Sequence, residues 1–253
     1  MPMVLRARNL SEQGFSHGFS TRLGGVSTGP FESLNLGNAG IDAAENIAEN
    51  QRRFARELGY AATSLFTLSQ VHGRTVRRVR AVEAPESLRR EEADALLAER
   101  GVTVGVRTAD CVPLLLADPS SRAVAAVHAG WRGAAAGIVH AAVEALAQSG
   151  AKPSQLMAAV FPHVRACCFE VGEEVVDALA AAAPSVAVAQ RRPGSKPHAI
   201  LIAVVRSQLM AAGLNADAIE DVPGCTYCEP ERFFSFRRDG AASGRHLAAI
   251  VAG

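Results

Sequence analysis

Apolar positions fall into two rhythms along this chain. Between Glu45 and Gly59, Ile47, Phe54 and Leu58 recur at helical spacing among charges, and Gly59 supplies a stop, which predicts an amphipathic surface helix. Short apolar or β-branched runs at 65–69, 75–80, 102–106, 112–117 and 122–127, with Gly, Asp or Pro near most boundaries, predict strands. The stretch FSTRLGGVSTGPFESLNLGNAG breaks helices and predicts turns after one short strand near Gly18 to Thr21. AAAGIVHAAVEALAQSG predicts an Ala-rich helix closed by Gly150, and a strand at 156–161 and helices near 172–182 and 199–212 follow. The alternation never settles into regular βαβ spacing, so the pattern predicts a mixed α+β fold rather than a doubly wound sheet. No internal repeat is visible, and DALAAAAPSVAVAQ is compositionally biased without a polar low-complexity signature.

Length and composition narrow this picture. The 253 residues, 49% of them hydrophobic, can bury a core within one domain spanning 1–253. A net charge of +1 gives no global field toward nucleic acid or an anionic membrane, so an anionic substrate must be held by local charges. MPMVLRARNLSEQGF lacks a signal-peptide pattern, and no run reaches the ~18 apolar residues of a membrane span. A cytoplasmic protein is expected. The five cysteines are odd in number and Cys167 and Cys168 are adjacent, which argues against a disulfide framework and for reduced thiols.

Candidate chemistry centres on His72 in QVHG, Cys111 in TADC and His128 in VHAG, each at the edge of a predicted strand with a glycine or Asp110 beside it. Imidazole and thiolate together suit zinc, and three protein ligands leave a fourth tetrahedral position open, as a catalytic site requires. Taken singly, the three residues also read as ordinary core or surface groups. Asp110 can orient a ligating imidazole or cap a turn. HAGWRG runs from a glycine-bearing turn into a helix whose free N–H groups, with Arg132, can receive an anion such as phosphate; a packed turn with Trp131 in the core is the alternative. Arg22 in TRLGG can reach an oxyanion or lie solvated on its loop.

Cys225 and Cys228 form one C-x-x-C pair, which alone lacks the further ligands a zinc site needs, and both read as structural. Phe233, Phe234 and Phe236 read as core, Arg237 or Arg238 as facing the site, and Glu170 or Glu173 as a carboxylate near it. Cys167 and Cys168 need not be reactive.

TRLGGVSTGPFESLNLG, SQVHG, ADALL, TADCVPLLLAD, HAGWRG, CCFEVGEEV and FFSFRRDG, in this order, resemble the multicopper polyphenol oxidase or laccase-domain family, whose members are also described as purine nucleoside phosphorylases. The resemblance implies a single-domain α/β/β/α sandwich with mixed sheets, similar to cysteine hydrolase-like proteins, with zinc on His72, Cys111 and His128. It implies phosphorolysis of adenosine, inosine, guanosine and methylthioadenosine together with adenosine deamination, and so purine nucleosides and phosphate as partners. Catalytic roles are then expected for Cys111, Arg22, Arg132 and Asp110. Monomer and homodimer both remain open. Polyphenol oxidation on copper fits less well, because seven His, most of them scattered, are few for a multicopper centre. A peptidoglycan-precursor editing amidohydrolase using Cys111 as nucleophile, and a non-catalytic metal or nucleotide-binding module, are the alternatives. Phe161 stands where relatives commonly have Gly, and a bulky side chain there is expected to narrow the pocket or shift the backbone.

Overall fold

A computed structural model describes residues 1–37 and 42–253; the end of the turn-rich stretch, 38–40, lies outside the described residues. The strands are β1 (Val4–Leu5), β2 (His17–Ser20), β3 (Leu65–Phe66), β4 (Val76–Val79), β5 (Ala95–Ala98), β6 (Thr103–Thr108), β7 (Val112–Ala117), β8 (Val124–Ala129), β9 (Met157–Val160), β10 (Ala189–Gln190), β11 (His198–Ala199), β12 (Ile219–Asp221) and β13 (His246–Val251). The helices are α1 (Arg8–Glu12), α2 (Ala44–Leu58), α3 (Pro85–Leu88), α4 (Trp131–Ala136), α5 (Ile138–Gln148), α6 (Glu173–Ala182), α7 (Leu201–Ala211) and α8 (Phe236–Asp239). Among the described residues the strands form a five-stranded sheet, β1-β2-β13-β6-β3, a six-stranded sheet, β12-β9-β7-β8-β5-β4, and the small β10-β11 pair. Both large sheets mix parallel and antiparallel neighbours, as the family resemblance implies.

Side-chain alternation sorts the sheets into layers. Leu96 and Ala98, Leu115 and Ala117, and Val124 and Ala126 of the six-stranded sheet pack in one cluster with Val104, Val106, Ala248, Ile250 and Phe19 of the five-stranded sheet. The alternate residues Leu97, Leu114, Leu116 and Val127 meet α5, α6 and α7 on the other side. The outer face of the five-stranded sheet, through Leu65, Leu247 and Ala249, is covered by Phe54 and Leu58 of α2. That helix ends as its sequence predicts, with Gly59 in the left-handed region at φ 73°.

The Ala-rich segment departs from expectation. It forms two helices, because Gly137 takes φ 87° and separates α4 from α5. The break separates the short α4, which follows β8, from α5, which packs on the sheet face. No helix among the described residues is long and apolar enough to cross a membrane.

Two buried histidines impose a pH dependence on this core. Burial pushes His163 down to about 4 and His246 down to about 3. His246 Nε2 accepts from the Phe234 N–H at 2.8 Å, while its Nδ1 and the His163 Nε2 have no partner among the described residues. In the unfolded chain both titrate near 6.5, so below that pH the unfolded state binds more protons and stability falls as pH falls. At pH 5 each histidine accounts for about 2 kcal/mol of lost stability. Urea unfolding across pH 5 to 8 checks this, and a stability flat from 7 to 5 is the contrary result.

Candidate metal centre

Three neighbouring strands, β5-β8-β7, deliver the centre at one end of the six-stranded sheet. His128 lies near the end of β8, opposite Pro113, and Cys111 immediately precedes Val112, which pairs with Ala129. Asp94 immediately precedes β5, whose Ala95 opposes Val127. The His128 N–H donates to the Asp94 carbonyl at 2.8 Å, and the Asp94 carboxylate takes His128 Nδ1 at 2.8 Å. This bond turns the His128 Nε2 toward the cluster.

His72 comes from the loop between β3 and β4 and hangs on the same carboxylate. Asp94 accepts backbone N–H groups from Val71 at 3.3 Å, His72 at 2.9 Å and Gly73 at 2.7 Å. Gln70 also ties this loop to β6, accepting from the Arg107 N–H at 2.8 Å and donating to its carbonyl at 2.7 Å. His72 and Asp110 both adopt positive φ, 62° and 89°, conformations uncommon outside glycine; the bond to Asp94 holds His72 there, and Thr226, Ser235 and Arg237 hold Asp110.

The Cys111 Sγ lies 3.8 Å from His72 Nε2, and the ligand atoms of His72, Cys111 and His128 all lie within 4.8 Å of one another. Gly130 makes this possible: a Cβ there would stand 2.9 Å from both Cys111 Sγ and His72 Cδ2. Burial alone would raise the Cys111 thiol, but the His128 charge and the hydrogen bonds of His128 and His72 outweigh it and bring the thiol down to about 6. His128 moves oppositely: burial lowers it, and the Cys111 and Asp94 charges and bonds carry it up to about 9. These shifts place a thiolate beside an imidazolium at neutral pH, a donor set that can exchange the shared proton for a cation.

The cluster forms part of the wall of a cavity of about 940 Å³. Trp131, Phe169 and Phe236 give it apolar flat surfaces, and Arg107, Arg132, Arg237 and Arg245 give it positive charge. The Arg132 guanidinium lies 4.5 Å over the Trp131 ring, so Trp131 belongs to the cavity wall as well as to the packing. Arg245 is held by the carbonyls of Ser243 at 2.6 Å and Gly244 at 3.0 Å. Burial lowers its pKa against the opposing charges of Asp110 and Cys111.

Several expected residues are placed elsewhere. Arg22 is not in the cavity lining: its guanidinium donates to the carbonyls of Glu32 at 2.6 Å and Pro230 at 2.9 Å and lies over Phe234. Asp110 does not orient an imidazole. It accepts from Thr226 Oγ1 at 2.6 Å, Ser235 Oγ at 3.0 Å and the Arg237 N–H at 2.6 Å, and so ties the C-terminal segment to the residue beside Cys111. Orientation falls to Asp94, whose signal was an acid opening the apolar run DALLA. Glu173 pairs with Arg191 on the surface, Glu170 is outside the lining, and Arg238 is spent on the carbonyls of Thr226, Tyr227 and Phe233. Phe233 and Phe234 are buried, but Phe236 is exposed at the cavity. Arg107 and Arg245 were missed, because nothing local in sequence points them inward.

Phe161 also differs from expectation. Its ring is fully buried, stacks on Phe19 with centroids 5.8 Å apart and is absent from the cavity lining. Phe161→Ala should therefore cost about 3–5 kcal/mol of stability, which denaturant melts check.

A mixed α/β protein with a sulfur–imidazole cluster open to a cationic cavity is the class these features define. Residues 16–253 match the family described as multi-copper polyphenol oxidoreductase laccase, and the chain belongs to it. It is 40% identical over 249 residues to a purine nucleoside phosphorylase of Deinococcus radiodurans, covering 98% of this chain and 92% of that one. It is 36% identical to adenosine deaminase RL5 of an unknown prokaryotic organism, covering 92% of each. The crystal structure of YlmD from Geobacillus stearothermophilus matches with a TM-score of 0.90 and 33% identity, over 99% of this chain and 96% of that one.

Proposed function

We propose that this chain is a zinc-dependent purine nucleoside phosphorylase with adenosine deaminase activity, acting in the cytoplasm as one domain over residues 1–253. The observation that carries the reading is the cluster of His72, Cys111 and His128 at the wall of a cavity lined by arginines and aromatic rings. Two imidazoles and a thiolate, with Asp94 behind His128 and no Cβ at Gly130, fit zinc better than a multicopper centre, which needs more histidines than gather here. Zinc bound there would supply Lewis acidity and an open coordination position. The layering of helix, two sheets and helices supports the α/β/β/α arrangement with its likeness to cysteine hydrolase-like proteins.

The chain's own residues then have separable tasks. Trp131, Phe169 and Phe236 offer apolar faces to a purine, on which stacking is sequence-tolerant and favourable. Arg132, with Arg237 and Arg245 on the same cavity, holds phosphate for attack at the ribose C1′ as the base departs with the bond electrons. In deamination, water adds to the purine C6 and ammonia leaves. Asp94 fixes the His128 tautomer throughout.

Purified protein incubated with adenosine, with and without phosphate, tests this. Adenine and ribose 1-phosphate are expected only with phosphate, and inosine in both. Absence of all three products overturns it.

One observation favours a second reading. Cys111, His128 and Asp94 also form a thiolate, imidazole and carboxylate series, the arrangement of a cysteine nucleophile. Under that reading the protein cleaves an amide in a peptidoglycan precursor, and a thioester on Cys111 accumulates on stopped incubation with a nucleotide-linked muramyl peptide. Mass spectrometry of the intact protein decides it.

A further inference from the structure

Cysteines other than Cys111 gather at a second place. β9 and β12 run parallel as neighbours, so the loops that follow them leave the sheet from the same edge. The first loop carries Cys167 and Cys168, and the second carries Cys225 and Cys228. The loops are laced together: Arg165 grips Asp221 with two bonds of 2.8 and 2.6 Å and donates to the Gly224 carbonyl, and the Thr226 N–H donates to the His163 carbonyl at 3.2 Å. The four Sγ atoms converge, with Cys167 3.5 Å from Cys225 and 3.4 Å from Cys228, and Cys168 3.0 Å from Cys228. All four lie within 4.8 Å of one another.

We propose that Cys167, Cys168, Cys225 and Cys228 bind a second zinc ion as a closed, structural tetrathiolate. Sulfur atoms about 2.3 Å from a central zinc stand about 3.8 Å apart along the tetrahedral edges. The separations of 3.0, 3.4 and 3.5 Å fall short of that spacing by less than 1 Å, and all four sulfurs stay within 4.8 Å of one another, so small adjustments of side chains on loops reach it. A disulfide joins two sulfurs at about 2.05 Å and gives no reason for a fourfold convergence. The lone C-x-x-C pair is thus completed by two ligands from across the sheet edge. The Arg165 N–H, 3.5 Å from the buried Cys225 Sγ, is a donor to a thiolate of the kind such centres use. On binding, each thiol passes its proton to solvent. Four protein ligands leave no open position, so this zinc braces rather than reacts.

What it braces is the cavity. Thr226, inside the C-x-x-C turn, bonds Asp110, and the Val164 N–H donates to the Asp110 carbonyl at 3.0 Å, while Val164 and Phe169 line the cavity from the other loop. The closed site therefore holds the wall that faces Cys111.

The test separates this zinc from the one at the cavity. Full-length His72→Ala/Cys111→Ser protein, purified anaerobically with reductant, should retain one zinc per chain by elemental analysis. X-ray absorption should then report four sulfur neighbours at about 2.3 Å. Cys225→Ser/Cys228→Ser on the intact background should lower zinc from two per chain to one. Should that variant not fold, cobalt loading of the first variant keeps the question decidable through the thiolate charge-transfer bands. The proposal is overturned by a metal-free first variant, by iron in place of zinc, by nitrogen in the metal shell, or by an intact mass two hydrogens light without reductant, which marks a disulfide. Because the first variant lacks the cavity cluster, none of these outcomes depends on what the cavity binds.

Discussion

Cys111→Ser is expected to strip zinc from the cavity cluster and lower adenosine turnover by more than about 100-fold, since loss of an outer partner alone costs 10–100-fold. A serine hydroxyl keeps its proton at neutral pH and is a poor zinc ligand, whereas the cysteine thiol, at about 6, is already largely a thiolate. Cys111 is only half-buried and precedes β7 rather than packing within it, so the fold should survive with its melting temperature little changed. Metal analysis, turnover and a thermal melt on the same preparation separate a lost ligand from a lost fold. Zinc at the cluster unchanged in this variant would contradict the assignment.

Asp94 is the second residue from which a large effect is expected, for a different reason. Its carboxylate is fully buried and bonds His128 and the N–H groups of Val71, His72 and Gly73. Burial would raise this carboxyl, but the His128 bond and charge and the Gly73 and His72 bonds outweigh it and hold it below the ordinary value. Asp94→Asn keeps the shape but must point an amide N–H₂ at one donor, so zinc affinity should fall about 10–100-fold with modest loss of stability. Asp94→Ala leaves three backbone donors and an imidazole without their acceptor, and should destabilise the protein by about 3–5 kcal/mol. Competition with a chromophoric chelator measures the first effect and urea unfolding the second. If Asn and Ala variants bind zinc equally well, Asp94 does not orient the ligand.

Much of the scaffold was legible because β-branched and leucine runs bounded by Gly, Asp or Pro announce β6, β7 and β8, and because Ile47, Phe54 and Leu58 keep a helical period to Gly59. What stayed hidden depends on partners distant in sequence. Ala95–Ala98 and His246–Val251 are rich in residues at home in helices, and they become strands because β8 lies beside the first and β2 and β6 flank the second. Gly137 within an Ala-rich helical pattern gave no sign that it would take φ 87°.

The same division runs through the site. His72, Cys111 and His128 stood out through the glycines and the aspartate beside them, and the glycine signal at Gly130 has a steric cause. The orienting role expected of Asp110 belongs to Asp94: adjacency to Cys111 made Asp110 conspicuous, but strand pairing put Asp94 against His128. Arg22 stood out on its glycine-rich loop, yet two carbonyls claim its guanidinium, while Arg107 and Arg245 reach the cavity from unremarked segments. Cys167 and Cys225 are 58 residues apart, and only the parallel pairing of β9 with β12 brings their loops together.

The central claim is that metal held by His72, Cys111 and His128 drives nucleoside turnover in the adjoining cavity. Adenosine turnover measured while chelator-stripped protein is titrated with zinc tests it most directly. The account predicts turnover near background in the stripped protein, rising with zinc and saturating as the two-imidazole, one-sulfur site fills. Full turnover in protein with that site empty would contradict it.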